Sequence, residues 1–224
     1  MSRYCGKNVF PEPILEAAEH WKTAALISDG AIFANEPIWN INCLKELESV
    51  VEQLDNKNFY ENLEIRLKES RQYKIIQLAA EICWLVYLCP SRNQISESTK
   101  RDRIRSIWKC SGNPFPENSN WLTDDILGGI GHPGQSFLAQ YSREWMFFIR
   151  SMVALKRLPS DQRIKQLSDG WKFAKWLEDI PECESRTVRH MILFLLFPEN
   201  FERIFSGKDR KGIVGNATEE QVEK

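Results

Sequence analysis

The sequence has no long apolar run. Its longest uninterrupted apolar stretches are residues 82–89 and 191–197, far short of the roughly 20 residues that cross a bilayer. No membrane partner is expected. Residues 1–13 lack the basic and apolar regions of a secretory signal, so the chain is expected in the cytoplasm. No Cys-x-x-Cys pair occurs either. The six cysteines, Cys5, Cys43, Cys83, Cys89, Cys110 and Cys183, are irregularly spaced, and without export they are expected as free thiols rather than a disulfide framework. Net charge is also nearly absent: 30 Lys and Arg oppose 31 Asp and Glu. No overall field draws the chain to a polyanion, so any nucleic-acid contact must be local.

Catalytic and cofactor signatures are missing as well. The three histidines, His20, His132 and His190, are far apart and form no short metal-ligand spacing, so no metal and no cofactor is expected. There is no Gly-x-Ser-x-Gly elbow. Gly129, Gly131 and Gly134 match the letters of a dinucleotide loop, but the preceding residues 122–127 are polar and no acidic residue lies between Glu144 and Asp161 to hold a ribose. A glycine turn allowing close helix approach, with Ser136 capping the next helix, fits better. Ser206, Gly207 and Lys208 suggest a phosphate loop, but Glu202 and Asp209 occupy the positions where a Walker loop needs glycine and a hydroxyl. No catalytic residue is assigned, and the chain as it stands is not expected to be an enzyme.

What is abundant is helical periodicity and aromatic side chains, with eight Trp and twelve Phe. Period-two alternation flanked by turns is absent, which excludes a large sheet. The expected fold is all-α, an irregular multi-helix array with at most one minor β-hairpin near residues 31–41. Ile14, Leu15, Ala18, Trp21, Ala25 and Leu26 share one helical stripe, ended at Ser28, Asp29 and Gly30. Asn42 is a plausible cap for a second helix carrying Leu44, Leu47, Val50, Val51 and Leu54 inward. Residues 71–89 leave only a narrow polar strip and read as a central buried helix. Ser96 or Ser98 can cap a basic helix reaching Cys110, and a long helix is expected at about residues 136–158. Ser185 can cap a last strong helix before Pro198, with a short helical turn at 200–205. Turn formers at 111–120 divide the chain into an N-terminal helical subdomain, 1–112, and a C-terminal one, 121–214, with a polar tail at 215–224.

Two basic groups are candidate nucleic-acid contacts. The first is Lys100, Arg101, Arg103, Arg105, Trp108 and Lys109, set against an acidic segment at 44–64. Its cations could neutralise phosphates, or its arginines could pair with that acidic segment as a solvated face. The second is Lys208, Arg210 and Lys211, which could touch phosphate or an acidic neighbour, or form a solvated exit from the domain. An exposed aromatic among Trp39, Trp108, Trp121 and Trp171 could stack on a base, although core packing is the default for each.

Three ordered stretches carry a family resemblance. They are 78–91 with 98–108, then 126–134, and then 189–214, the most specific, running from Arg189 and His190 through Phe201, Phe205 and Arg210. This order resembles the region ahead of the motor in bacterial McrB-like AAA+ proteins, restriction or phage-defence NTPases. The resemblance implies a recognition or adaptor domain that senses DNA, including modified DNA, and works with an AAA+ motor domain and a nuclease partner. The motor's Walker and GTPase-type motifs are missing, so nucleotide hydrolysis and cleavage are not carried over. The alternative is a protein-interaction module that docks a motor or nuclease partner without touching nucleic acid.

Overall fold

The computed structural model describes residues 11–34 and 36–212; Cys5 and the tail at 215–224 lie outside them. It is an irregular all-helical array with no strand among the described residues. Residues 31–34 and 36–40 form bends without strand, so the minor hairpin allowed near 31–41 is not seen among the described residues.

Helix α1 (Glu12–His20) runs directly into a π-helical stretch, Trp21–Ile27, and buries the stripe its spacing marked out. Asp29, at φ +60°, and Gly30 end it. The cap of α2 (Ile41–Val51) is Asn40 rather than Asn42, its Oδ1 accepting from the amides of Asn42 and Cys43 at 3.0 and 3.1 Å. A separate helix, α3 (Phe59–Ser70), follows and buries Phe59, Leu63 and Leu67 at four-residue spacing. Helix α4 (Tyr73–Tyr87) is the expected central helix, with every residue from 75 to 89 buried.

Ser96 caps α5 (Glu97–Lys109), accepting from the Thr99 amide at 3.2 Å. After the loop come α6 (Asp124–Leu127), α7 (Gln135–Ala139) and α8 (Tyr141–Arg157), so the long helix expected at 136–158 is broken at Gln140. Ser136 lies inside α7 and is not its cap; Gly134, at φ +85°, holds that position. Then come α9 (Ser160–Gln166), α10 (Gly170–Glu178) and α11 (Val188–Leu196). The final helical turn falls at 207–212, after Phe205, not at 200–205.

One hydrophobic cluster runs through both halves of the chain. Helix α4 packs on α2 and α5, α8 packs on α2, and α11 packs on α1, α8 and α10. Large aromatics fill it: Trp21, Trp39 and Phe148 meet with ring centroids 6.0 to 6.3 Å apart, the range in which aromatic pairs add to simple area burial.

Buried charges terminate helices inside this core, and none of them was legible as a cap. Glu144 in α8 accepts from the amides of Thr187 and Val188 at 3.1 and 2.9 Å. It, rather than Ser185, satisfies the orphan donors and the positive dipole end of α11. Lys156 Nζ donates to the carbonyls of Ala25 and Leu26 at 2.6 and 2.8 Å, closing the π-helical stretch, and meets Asp29 at 2.5 Å. Glu81, on the central helix, accepts from the amides of Ile32 and Phe33 and from Trp39 Nε1 at 2.8, 2.9 and 2.6 Å, and so pins the bent segment that follows the first helix.

The glycine turn lies along the end of α4. The Ile130 amide donates to Leu88 O at 3.0 Å, Gly131 to Cys89 O at 2.7 Å, and Ser91 to Gly131 O at 2.8 Å. Gly129 has φ +71°, and a Cβ there would overlap the Pro90 carbonyl oxygen. Close backbone approach accounts for that glycine.

Candidate functional site

The basic helix α5 is largely occupied by its own fold. Lys100 has 0% relative exposure. Its ammonium donates to the Pro90 carbonyl and to Leu127 O, the latter at 2.6 Å. It lies on the same stripe as Ile104, Ile107 and Trp108, and burial pulls its pKa down from 10.5 to about 8. A phosphate at the surface cannot reach it, which corrects its place among the candidate contacts. Arg101 donates to Leu122 O at 2.9 Å and Asp124 at 2.5 Å. Arg103 donates to the Tyr87 hydroxyl at 2.8 Å and lies over the Tyr60 ring.

Arg105 is forked onto Glu117 at 2.9 and 2.8 Å and also holds Asp102. The carboxylates that pair with the α5 arginines thus come from α5 itself, the loop beyond it and α6; of the acidic segment, Glu64 accepts from the Ser106 hydroxyl of α5 at 2.6 Å, and Glu48 and Glu52 pair with Arg150. Trp108 is buried and donates to Pro114 O at 2.9 Å. Only Lys109 projects as an exposed cation at the end of the helix.

The second basic group has a different setting. Phe205 is buried against Phe194, with ring centroids 5.9 Å apart. Ser206 then accepts from the Asp209 amide at 3.1 Å and starts the 207–212 turn. That turn carries Arg210 to α11, where its Nη1 meets His190 Nδ1 at 2.7 Å. Lys208 and Lys211 are exposed on the same turn.

A groove of about 380 Å³ opens here, lined among others by Trp171, Lys175, Glu178, Arg189, His190 and Arg210. Helix α10 supplies Trp171 because Gly170 lets its first turn close on α11's exit: a Cβ would sit 2.7 Å from Asn200 Oδ1 and 3.0 Å from Phe197. Asp169 caps that turn, accepting from the amides of Trp171 and Lys172. Trp171 is 64% exposed and rests on Phe201 at 5.0 Å between centroids.

Of the four tryptophans weighed for stacking, Trp39 and Trp108 are core residues, and Trp121 is half-buried and stacked on His20 at 4.4 Å. Trp171 alone among them offers an open face.

The polar centre of the groove is overfull of donors. Arg189 Nε donates to His190 Nε2 at 3.1 Å while Arg210 meets the other ring nitrogen. Burial, with Arg210 and Arg189 beside it, holds the imidazole pKa down to about 3, so the ring is neutral. Burial and Arg189 also lower the Arg210 pKa. Among the described residues, neither arginine has a carboxylate within ion-pair distance, in contrast to Arg101 and Arg105 of α5.

No protein family, curated protein or solved structure matches the chain.

The site residues that sequence reasoning missed are Lys175, Arg189 and His190. Arg189 and His190 open the most specific of the resembling stretches, and Arg210 stands 20 positions on. That stretch was the available signal, but spacing could not show that the chain folds back on itself. Elsewhere titratable groups gather inside the core, with Tyr60, Cys83, Tyr87 and Tyr141 around Arg103 and with Asp29 between Lys156 and Arg163. His132 is exposed and its Nδ1 accepts from the Gly134 amide at 3.2 Å. No three His, Cys, Asp or Glu side chains among the described residues are grouped to hold a metal. The described cysteines are free thiols, and no helix among the described residues is long and apolar enough to cross a membrane.

Proposed function

We propose that this chain is a non-catalytic recognition domain of a McrB-like restriction or antiphage system, and that it meets nucleic acid at the α10–α11 groove rather than along α5. The observation that carries this reading is the groove itself. Arg189, Arg210 and Lys175 stand beside the open face of Trp171, whereas Arg101 and Arg105 of α5 are paired with carboxylates and Lys100 is buried. Cations that track phosphate and an aromatic face that accepts a base are the two ingredients of single-strand and extruded-base recognition. The ordered motifs resemble the region ahead of such a motor, and the AAA+ motor and nuclease partner belong to the proposal on that resemblance alone.

The test is a binding titration with single-stranded, duplex and cytosine-modified duplex oligonucleotides at two salt concentrations. Affinity should fall with salt as counterions are released. Charge reversal at Lys175 and Arg210 should weaken binding by about tenfold or more, while reversal at Arg105 and Lys109 should change it by less than about threefold. Binding that ignores the groove variants would sink the proposal.

The docking alternative keeps one observation in its favour: an exposed tryptophan is a frequent anchor of protein interfaces. Loss of partner binding on Trp171→Ala, with no oligonucleotide binding at any salt, would favour it.

A further inference from the structure

The arrangement around His190 contains a mismatch that a ligand would resolve. A neutral imidazole has one N–H and one lone pair, yet both of its ring nitrogens face arginine N–H groups, from Arg189 at 3.1 Å and Arg210 at 2.7 Å. Whichever tautomer is present, one of those contacts sets donor against donor. The lining residues include a single carboxylate, Glu178, and among the described residues no ion pair joins either arginine to an acid.

An oxyanion inserted between the guanidinium groups would accept from both arginines, and the imidazole N–H would turn from an opposed donor into a third partner. Charge-assisted, forked contacts of this kind are the strong ones. A groove of about 380 Å³ is at the small end of ligand sites, suited to one nucleotide unit rather than a length of strand. Trp171 supplies a planar face on its wall.

We propose that this groove seats the phosphomonoester of a single nucleoside, with the phosphate held by Arg189, Arg210 and His190 and the base stacked on Trp171. The proposal rests on the nucleic-acid reading of the groove and narrows it. The same chemistry is presented by a free mononucleotide and by the phosphorylated end of a strand. A phosphomonoester suits the seat better than an internal phosphodiester because it carries about −1.5 to −2 charge and three terminal oxygens.

The experiment is calorimetric titration of the full chain with AMP, adenosine and inorganic phosphate, and with single-stranded DNA bearing either a 5′-phosphate or a 5′-hydroxyl. AMP should bind, and adenosine and phosphate should each bind at least about tenfold more weakly. Arg210→Gln and Trp171→Ala, both at solvent-exposed positions, should each weaken AMP by about tenfold or more without changing the melting temperature. Preference for the 5′-phosphorylated strand identifies a strand end as a source; binding of AMP with no binding of either strand identifies a free nucleotide, which keeps this site and refutes the nucleic-acid reading.

No AMP binding at about 10 mM, adenosine binding as tightly as AMP, or variants without effect would overturn the proposal. Oligonucleotide binding that weakens in the groove variants but is the same with a 5′-phosphate or a 5′-hydroxyl, with no binding of AMP, would overturn it while leaving the broader reading intact.

Discussion

Glu81 should give the fold a pH dependence opposite in sense to ordinary acid denaturation. Its carboxylate accepts three N–H groups of segment 32–39, but burial outweighs them and pushes its pKa from 4.5 to about 7. The folded chain therefore holds this proton more tightly than the unfolded chain. Between pH 4.5 and 7 the native state binds more protons, so the stability associated with Glu81 is complete below that interval and is lost as pH rises through it. The full difference is about 3 kcal/mol, most of it falling between pH 5 and pH 8.

His190 works in the opposite sense. Its pKa is depressed to about 3, so its contribution is lost as pH falls from 6.5. The wild-type profile alone would mix these with other shifted groups, such as Glu144, whose pKa burial raises. Comparison with Glu81→Gln isolates the carboxyl, because glutamine does not titrate and its amide opposes one of the three donors at a cost of about 1–3 kcal/mol at every pH. Urea unfolding of both proteins from pH 5 to pH 8 should show the wild type's advantage shrinking by about 2–3 kcal/mol. A difference that stays flat, or grows with pH, would refute the reasoning.

Two further outcomes test the other buried devices. Lys100→Met should cost about 2–4 kcal/mol in urea unfolding, because the carbonyls of Pro90 and Leu127 lose a charged donor in the core, whereas Arg105→Ala, breaking an exposed pair, should cost under about 1 kcal/mol; equal losses would mean that Lys100 is not buried as described. Gly129→Ala should lower stability by about 3 kcal/mol or more, through a left-handed backbone and the clash with the Pro90 carbonyl. Gly207→Ala, which meets nothing within 4 Å, serves as the control, and indistinguishable thermal melts for the two would contradict that account.

The α5 helix shows how far local pattern reaches. Its extent and buried stripe followed from the spacing of Ile104, Ile107 and Trp108, and its cap is Ser96, one of the two serines that the sequence offered. Lys100 belongs to that same stripe, four residues before Ile104, so its burial was within reach of the periodicity. Residue type overruled spacing, since a lysine reads as surface unless its partners are known. Those partners, Pro90 O and Leu127 O, come from two other segments.

The same limit applied at α11, where a nearby serine seemed a sufficient cap and a glutamate 43 residues upstream in the chain does the work. It also applied before α2, where Glu81 pins Ile32, Phe33 and Trp39 in bends and no hairpin forms among the described residues.

Sequence by itself determined that this chain is helical and where its central helix lies, because three-and-four spacing, capping residues and proline boundaries act within a few turns of one another. Tertiary structure decided which charges remain available. It buried Lys100 and paired Arg101 and Arg105, while the 207–212 turn brought Arg210 to His190 beside Trp171. Electrostatic availability depends on distances between segments far apart in sequence, and only packing sets those distances.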